Sequence, residues 1–178
     1  MRSPTDPAKI HSFMAALGRS VGGPGRVYLT GGATALLLGW RDSTIDVDVK
    51  ADPEPKGFFE ALASIKDALD VNIELASPDQ FIPELSGWRD RSQFIAKHGP
   101  VEFYHCDFYS QALAKIERGH SRDLADVAAM FQRDLISRSG VWEKFIALEA
   151  GLIRYPAISP AVFRESVARV CGKASSAS

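Results

Sequence analysis

The feature that most restricts the fold is the succession of patterns between residues 26 and 50. The letters RVYLT (26–30) are typical of a short buried strand, and Gly31 and Gly32 follow it directly as a tight turn. The next letters, ATALLLG, are apolar on nearly every side and predict a helix that other elements cover. In the letters STIDVDVK (43–50), one side of a strand carries Ile45, Val47 and Val49, and the other carries Asp46, Asp48 and Lys50. The segment therefore predicts a buried strand, a glycine turn, a covered helix and a half-buried strand.

Similar periodicities predict the elements on either side. Pro7 suits the first turn of a helix that ends before the breaker letters VGGPG. A third helix is predicted from about residue 56 to 69, and the letters DVNIELA (70–76) predict another alternating strand, with Asp70, Asn72 and Glu74 on its polar side. The apolar residues assigned to the buried sides are Ile10, Phe13, Met14, Leu17, Phe58, Phe59, Leu62, Ile65, Leu69, Val71, Ile73 and Leu75.

The C-terminal half of the sequence is predominantly helical. Residues 76–100 are rich in loop formers, VEFYHCDF (101–108) predicts a strand, and helices are expected from Gln111 onward. This order predicts the α+β class: a mixed β-sheet with helices packed mainly on one side, followed by a helical C-terminal part. At 178 residues, we expect one compact domain with a core of residues 1–110, a helical part of residues 111–172 packed on it, and a flexible tail of residues 173–178.

Charge and composition exclude several classes of protein. The chain has 21 Lys and Arg against 22 Asp and Glu, so an extensive polyanion-binding surface is not expected and any nucleic-acid contact must be local. No apolar run approaches the roughly 20 residues that span a bilayer, and the N-terminal letters lack the apolar core of a secretion signal. The two cysteines, Cys106 and Cys171, lie far apart without metal-binding spacing. We therefore expect a cytoplasmic protein without a membrane partner.

Two carboxylates dominate the chemistry that the sequence predicts. Asp46 and Asp48 lie one residue apart on a strand, so both point to the same side and can share one ion. Two such anions repel each other unless a cation neutralises them, and oxygen ligands favour Mg²⁺, with Mn²⁺ as a substitute. A glycine turn at a helix N-terminus lets backbone approach a phosphate. Metal-binding carboxylates beside such a turn indicate phosphoryl or nucleotidyl transfer.

Two motifs resemble those of a known family. The glycine pair, a spacer over residues 33–45 and the Asp-x-Asp of LTGGATALLLGWRDSTIDVDV resemble the signature of the DNA polymerase beta-like nucleotidyltransferase superfamily. Within it, the segment is most similar to the branch of the AbiEii and MenT-type toxins and related small nucleotidyltransferases. The letters ALAKIERGHSRDLADVAAMF (112–131) resemble the helix motif of the same branch. The two motifs together cover less than a third of the chain.

The resemblance implies a role for each matching residue. Gly31 and Gly32 would hold the triphosphate of a nucleoside triphosphate such as ATP, and Asp46 and Asp48 would bind the metal. The third acidic residue would be Glu74, with Asp70 as the competing choice. Further downstream, the resemblance implies that Lys115 contacts phosphates and that Asp123 with Asp126 completes the site or holds Lys115 and Arg122 in place. The acceptor would be RNA, such as a tRNA 3′ end, or a protein hydroxyl, and a cognate antitoxin or toxin would be a partner.

Structural explanations exist for the same residues. Arg41 is either a neutralising neighbour of the carboxylates or a substrate contact, and helix periodicity alone places Lys115, Arg118, Arg122 and Asp126 on an ordinary solvated face. The letters GWRDR (87–91) suit either base stacking or a loop that a buried Trp88 anchors. For His105 and Asp107 we expect a structural role.

Two other functions remain compatible with the sequence. A non-catalytic nucleotidyltransferase fold, acting as an antitoxin or a regulatory subunit, would need no third carboxylate. A metal-dependent phosphohydrolase is disfavoured because the sequence lacks a cluster of histidines and aspartates.

Overall fold

A computed structural model describes residues 2–174, and within that range the chain forms five β-strands, eight α-helices and two 3₁₀ turns. It divides into two compact units, each described by itself. The first, which we call the sheet unit, comprises Met1–Ser77 and Ser92–Cys106, and the second, the helical unit, comprises Pro78–Arg91 and Asp107–Ser178. Residues 175–178 of the predicted tail lie outside the described residues.

The sheet unit contains all five strands and three helices. In chain order these are α1 (Pro7–Ser20), β1 (Gly25–Thr30), α2 (Gly31–Leu38), β2 (Asp46–Ala51), α3 (Phe58–Ala68), β3 (Asn72–Leu75), β4 (Gln93–His98) and β5 (Val101–His105). The strands form one sheet in the order β3-β2-β1-β5-β4. β1 is antiparallel to β2 and parallel to β5, β2 is parallel to β3, and β4 is antiparallel to β5. The prediction of an α+β fold with a mixed sheet is confirmed.

One face of this sheet forms the core with the three helices. The buried strand residues there are Val27, Leu29, Val47, Val49, Ile73, Val101 and Phe103. α1 and α3 contribute buried side chains at helical spacing, among them Phe13, Leu17 and Ile65. Asp6 caps α1 by accepting a hydrogen bond of 2.8 Å from the backbone N–H of Lys9. Because alternate strand residues enter this core, the polar residues of β2 and β3 share the opposite face.

The helical unit contains α4 to α8. Their bounds are α4 (Trp88–Arg91), α5 (Phe108–Arg118), α6 (Ser121–Gln132), α7 (Arg138–Leu148) and α8 (Pro160–Val170), with 3₁₀ turns at Pro78–Gln80 and Glu149–Arg154. α5 packs against α6, α7 and α8. Asp107 caps α5 by accepting hydrogen bonds from the backbone N–H groups of Tyr109 and Ser110, so this helix begins before the predicted Gln111. None of the helices within residues 2–174 is both long and apolar enough to cross a lipid bilayer.

Three apolar residues assigned to the core are exposed instead. Ile45 is 63% exposed because it precedes β2 rather than belonging to it, and Leu75 is 48% exposed at the end of a strand at the sheet edge. Phe59 is 52% exposed because consecutive helix positions point about 100° apart, and it is Phe58 that enters the core. Strand alternation and helix spacing therefore do not identify core residues at the ends of elements, and they do not show which of two adjacent helix residues is buried.

The strand β4 lies within the segment predicted to be loop. Its side chains are exposed or half-buried throughout, and the register of its pairing with β5 shifts between Phe94 and Ala96. Such a bulge adds a residue to one strand and removes the period-two pattern that would identify it. The prediction of a loop for this part of residues 76–100 is therefore wrong.

Candidate active site

Three of the predicted site residues, Asp46, Asp48 and Glu74, lie on the polar face of the sheet unit. Asp48 of β2 lies directly opposite Thr30 of β1 on one side and Glu74 of β3 on the other. Residues that are paired in register point to the same face and lie close together. Asp46 precedes Asp48 by two residues and points to this face as well, and both aspartates are half-buried.

The glycine turn lies against one of these carboxylates. Gly31 has φ +58°, a conformation that favours glycine, and a Cβ at this position would lie 2.9 Å from the Oδ2 atom of Asp48. α2 begins at Gly31, and its N-cap residue Thr30 makes no side-chain hydrogen bond to the helix. The positive end of the helix dipole therefore lies beside a carboxylate.

Gly32 has a different neighbour. A Cβ at Gly32 would overlap the Oγ1 atom of Thr44, so the absence of a side chain lets Thr44 pack against the turn. The Thr44 hydroxyl in turn donates to the backbone carbonyl of Asp46 at 3.1 Å. The second glycine thus holds the start of β2 against the first turn of α2, which fixes the position of the aspartates.

Asn72 is a neighbour of the carboxylates that the sequence analysis gave no functional role. It lies opposite Asp46 in the β2–β3 register, and its side-chain amide donates to Oδ1 of Asp46 and, at 3.3 Å, to Oε1 of Glu74. Its place on the polar side of DVNIELA, two residues before Glu74, was the signal that could have identified it. The amide links two acidic side chains without adding negative charge.

The structure distinguishes the two candidates for a third acidic residue. Asp70 lies outside β3 with φ +51° and accepts hydrogen bonds from the hydroxyl and the backbone N–H of Ser3, at 2.6 and 3.2 Å. These hydrogen bonds lower the pKa of Asp70 below its ordinary value. Asp70 therefore holds the N-terminal segment, whereas Glu74 is exposed and lies beside Asp48.

The donor set of this face fits a hard cation. Asp46 and Asp48 offer carboxylate oxygens from one strand face, and Mg²⁺ is commonly held by one or two carboxylates with its other ligands from substrate phosphates and water. Within residues 2–174, no group of three or more His, Cys, Asp or Glu side chains is arranged to hold a metal ion. Asp46 and Asp48 would therefore bind such an ion together with its substrate rather than in a closed protein cage.

The residues of the downstream motif form a buried ion-pair network in the helical unit. Lys115, which is 4% exposed, donates to Oδ2 of Asp126 at 2.7 Å and lies 3.5 Å from Oδ1 of Asp123. Arg118 contacts the same Asp123 oxygen at 2.9 Å. Gly119, with φ +71°, ends α5, so these residues belong to two helices rather than to the single face that periodicity suggested. Of the two roles considered for Asp123 and Asp126, this geometry favours holding Lys115 in place.

Arg122 and Arg41, the two other arginines considered for nucleotide binding, differ in their surroundings. Arg122 is exposed on α6 and forms no ion pair with any residue of the described part of the chain. Arg41 is half-buried between α2 and β2, within the same unit as the aspartates. Arg122 is therefore not held by Asp123 or Asp126 as the sequence interpretation suggested.

The remaining sequence candidates have structural contacts. Arg91 forms a double hydrogen bond with Asp107, at 2.8 and 3.1 Å, and Trp88 is buried. Arg89 lies with its Cζ atom 4.5 Å from the centre of the Trp88 ring. The segment 87–91 is thus a short helix anchored by a buried Trp88 rather than the loop that the sequence suggested, and Asp107 combines a helix cap with a salt bridge.

His105 is a buried neutral residue that supports the glycine turn. Its Nδ1 atom lies 3.0 Å from the hydroxyl of Thr34 in the first turn of α2. The Thr34 hydroxyl also donates to the backbone carbonyl of Leu29 at 3.2 Å. Burial lowers the pKa of His105 from 6.5 to about 4. The histidine therefore joins α2 to the sheet.

We expect the low pKa of His105 to make folding stability depend on pH. The unfolded chain takes up a proton at this residue below about pH 6.5, whereas the folded protein resists it until about pH 4. This contribution to stability is complete above pH 6.5 and is lost as the pH falls toward 4, by about 3 kcal/mol in all. Urea denaturation at pH 7 and pH 4.5 measures the difference. His105→Asn should flatten the profile in this range, and an unchanged profile would contradict the assignment.

Gly31→Ala should disturb the carboxylate face. Alanine at this position has to keep the left-handed backbone conformation of Gly31, which costs about 1–2 kcal/mol. Its Cβ also pushes against Asp48. Gly39→Ala is the matched control because Gly39, with φ +88°, has no atom within 4 Å of a built Cβ. We expect both variants to lose stability in urea, and Gly31→Ala alone to lose metal-dependent binding of nucleoside triphosphate in calorimetry. Equal binding by the two variants would show that Asp48 and the turn do not act together.

Comparison with known proteins gives one match. Residues 20–146 match a family model described as a nucleotidyltransferase of unknown function (DUF6036). The match spans both the glycine turn with its aspartates and the Lys115 network. No curated protein and no solved structure matches the chain.

Proposed function

Because the chain belongs to this nucleotidyltransferase family, whose model matches more than half of its residues, we propose that it is a Mg²⁺-dependent nucleotidyltransferase. The enzyme would transfer a nucleoside monophosphate from a nucleoside triphosphate to an acceptor hydroxyl. The observation that carries this proposal is the approach of Asp48 to Gly31. A Cβ placed on Gly31 would lie 2.9 Å from the carboxylate oxygen Oδ2 of Asp48. This contact supports the proposal because it brings Asp48 to the glycine turn that would bind the phosphates. Carboxylate and turn together are the combination that nucleotidyl transfer requires.

Each part of the site has a role in the proposed reaction. Asp46 and Asp48 would hold Mg²⁺, which when bound supplies positive charge to the phosphate oxygens. The turn at Gly31 and the N-terminus of α2 would bind the triphosphate. The acceptor oxygen attacks the α-phosphorus and forms a new P–O bond, while the bond to the β-phosphate breaks and pyrophosphate leaves. Glu74, exposed beside Asp48, is the candidate to accept the proton of the hydroxyl.

For the acceptor we propose RNA, with a protein hydroxyl as the alternative. The resemblance of residues 29–49 to AbiEii and MenT-type toxins supports RNA and a toxin–antitoxin setting with a cognate partner protein. The net charge of −1 means that any contact with RNA depends on a local patch or on a partner. Lys115 is paired with Asp126 at 2.7 Å. To contact a phosphate, its ammonium group would have to leave this ion pair.

A labelling experiment tests the proposal. The purified protein is incubated with each α-³²P-labelled nucleoside triphosphate and Mg²⁺, with total RNA or with cell lysate as the source of acceptor. We expect labelled acceptor and released pyrophosphate in equal amounts, and neither when EDTA is present. Release of inorganic phosphate without labelling would instead identify a phosphohydrolase.

A non-catalytic binding module is the second candidate. It is favoured by the lack of a third metal-binding side chain beside Asp46 and Asp48 within the described residues, and by the pairing of Lys115 with two aspartates. Calorimetric titration with nucleoside triphosphate separates the two functions. The enzyme should bind the nucleotide only with Mg²⁺ present, whereas an antitoxin or regulatory subunit should show no metal-dependent binding.

A further inference from the structure

The helical unit contains a cavity that the proposed reaction does not use. Its volume is about 370 Å³, within the range of small-ligand sites. It lies between α7, the length of α8 and the residues that follow α8. The residues that line it are Trp142, Ala161, Arg164, Glu165, Ala168, Lys173 and Ala174.

An aromatic ring with two cations forms the centre of this cavity. The Cζ atom of Arg164 and the Nζ atom of Lys173 each lie 5.1 Å from the centre of the Trp142 ring. Trp142 is half-buried, and Phe145, whose ring centre lies 5.8 Å away, supports it from the core. The ring is therefore fixed by packing while part of its surface remains accessible.

The backbone holds Lys173 at this site. Gly172, with φ +69°, follows the end of α8, and the N–H of Lys173 donates to the carbonyl of Ala168 at 2.8 Å. This is a hydrogen bond of a helix C-cap, which sets the direction of the chain. Glu165, the acidic residue in the lining, lies 3.5 Å from Arg169 and is partly neutralised by it. Arg164 is likewise paired with Glu149, at 2.5 Å. Three cations, Arg164, Arg169 and Lys173, thus stand against two acids, and an excess of one positive charge remains at the cavity.

The surrounding sequence extends this charge. Residues 137–174 contain six of the 21 Lys and Arg but three of the 22 Asp and Glu. Two of these cations lie on or against α8: Arg169 follows the lining residue Ala168, and Arg138 donates to the carbonyl of Val170 at 2.7 Å. Positive charge therefore continues beyond the lining of the cavity, which favours a strand of linked phosphates over a single free nucleotide.

We propose that this cavity binds one nucleotide of a single-stranded RNA, with the base on Trp142 and the adjacent phosphates on Arg164 and Lys173. Stacking on an aromatic ring together with cations along the backbone is the usual way in which proteins bind single strands. The base replaces a cation above the ring, and the displaced side chain pairs with a phosphate. This inference rests on the proposed function, because it identifies RNA as the acceptor class and names the local patch that binds it.

Binding of a fluorescently labelled single-stranded RNA, measured by anisotropy in EDTA without nucleotide, tests the proposal separately from catalysis. Lys173→Glu should weaken binding by roughly tenfold or more, because a phosphate contact becomes a repulsion. Lys56→Glu is the matched control, since Lys56 is an exposed lysine of the sheet unit and the charge change is the same. Lys173→Gln should reduce the salt dependence of binding, as the slope of log K against log salt, by about 0.7.

The aromatic ring has its own test. Trp142→Ala should weaken binding by roughly tenfold, whereas Trp142→Phe, which keeps a stacking surface, should retain most of it. Circular dichroism checks that the variants are folded. Because Lys173 is exposed, its substitution should leave the fold intact and tests the RNA site even if Trp142→Ala unfolds.

Several results would overturn the RNA site. These are equal binding by Lys173→Glu and Lys56→Glu, and equal affinity for duplex RNA. If the Lys173→Glu variant binds RNA as tightly as the wild type and still labels it, the RNA site is refuted and the proposed enzyme is not. Normal RNA binding without any transfer would refute the proposed enzyme alone.

Discussion

Replacing Asp46 and Asp48 together by asparagine should lower the rate of nucleotide transfer by roughly a thousandfold or more while the protein stays folded. The substitution removes the two negative charges that would bind Mg²⁺, and loss of an electrostatic contact to developing charge typically costs 10²–10³-fold. Stability should be unchanged or slightly higher, because the two half-buried carboxylates on one strand face repel each other. The measurement is transfer of α-³²P label to the acceptor, with thermal unfolding recorded for the same preparation.

Asp42→Asn is the matched control for this experiment. Asp42 is an exposed aspartate shortly before β2, so the same chemical change occurs close to the site without touching the polar face that contains Asp48. It should retain the wild-type rate. Transfer at the wild-type rate by the double variant would show that the carboxylate face is not the site of reaction, whatever the stability of the variant.

Lys115→Met should destabilise the protein by about 3–5 kcal/mol. Removing the lysine takes away the cation that lies 2.7 Å from the buried Asp126, and loss of one member of a buried ion pair has a cost of this size. The free energy of unfolding in urea measures the effect. Arg122→Met is the control, because Arg122 is exposed and has no ion pair within residues 2–174, and it should change stability by no more than about 0.5 kcal/mol.

A double variant separates the cost of a lost partner from the value of the pair. Lys115→Met with Asp126→Leu removes both charges, and we expect much of the lost stability to return because apolar residues fill a buried site well. If the double variant is as unstable as the sum of the two single variants, the aspartate and the lysine do not stabilise each other. Arg118 would still neutralise Asp123, from which it lies 2.9 Å away.

The sequence predicted the parts of the site that depend on local periodicity. Strand parity placed Asp46 and Asp48 on one face, and the apolar run after Gly32 predicted a covered helix that is α2 in the structure. Parity also placed Asn72 and Glu74 on one side of their strand. These predictions succeeded because a period of two or 3.6 residues fixes the direction of a side chain within one element.

The sequence did not determine how the elements pair. That Glu74 lies beside Asp48 depends on the β2–β3 register, and that Asp70 binds Ser3 depends on a contact between residues 67 positions apart. Likewise, no local pattern reveals that a side chain at Gly32 would overlap Thr44. Such relations arise from tertiary packing, and a bulge or an edge strand, as in β4, removes even the local pattern.

The position of β3 at the sheet edge affects how the site responds to mutation. Asp46 and Asp48 are on a strand with neighbours on both sides, whereas Glu74 is on a four-residue strand that pairs on one side within the described residues. Edge strands open locally at lower free energy than central ones, so amide hydrogens of β3 should exchange with solvent before those of β1 and β2. Relatives could therefore lose or move the acid at the position of Glu74 at little structural cost. Asp46 and Asp48, in contrast, lie on a strand whose opening would disrupt the whole sheet.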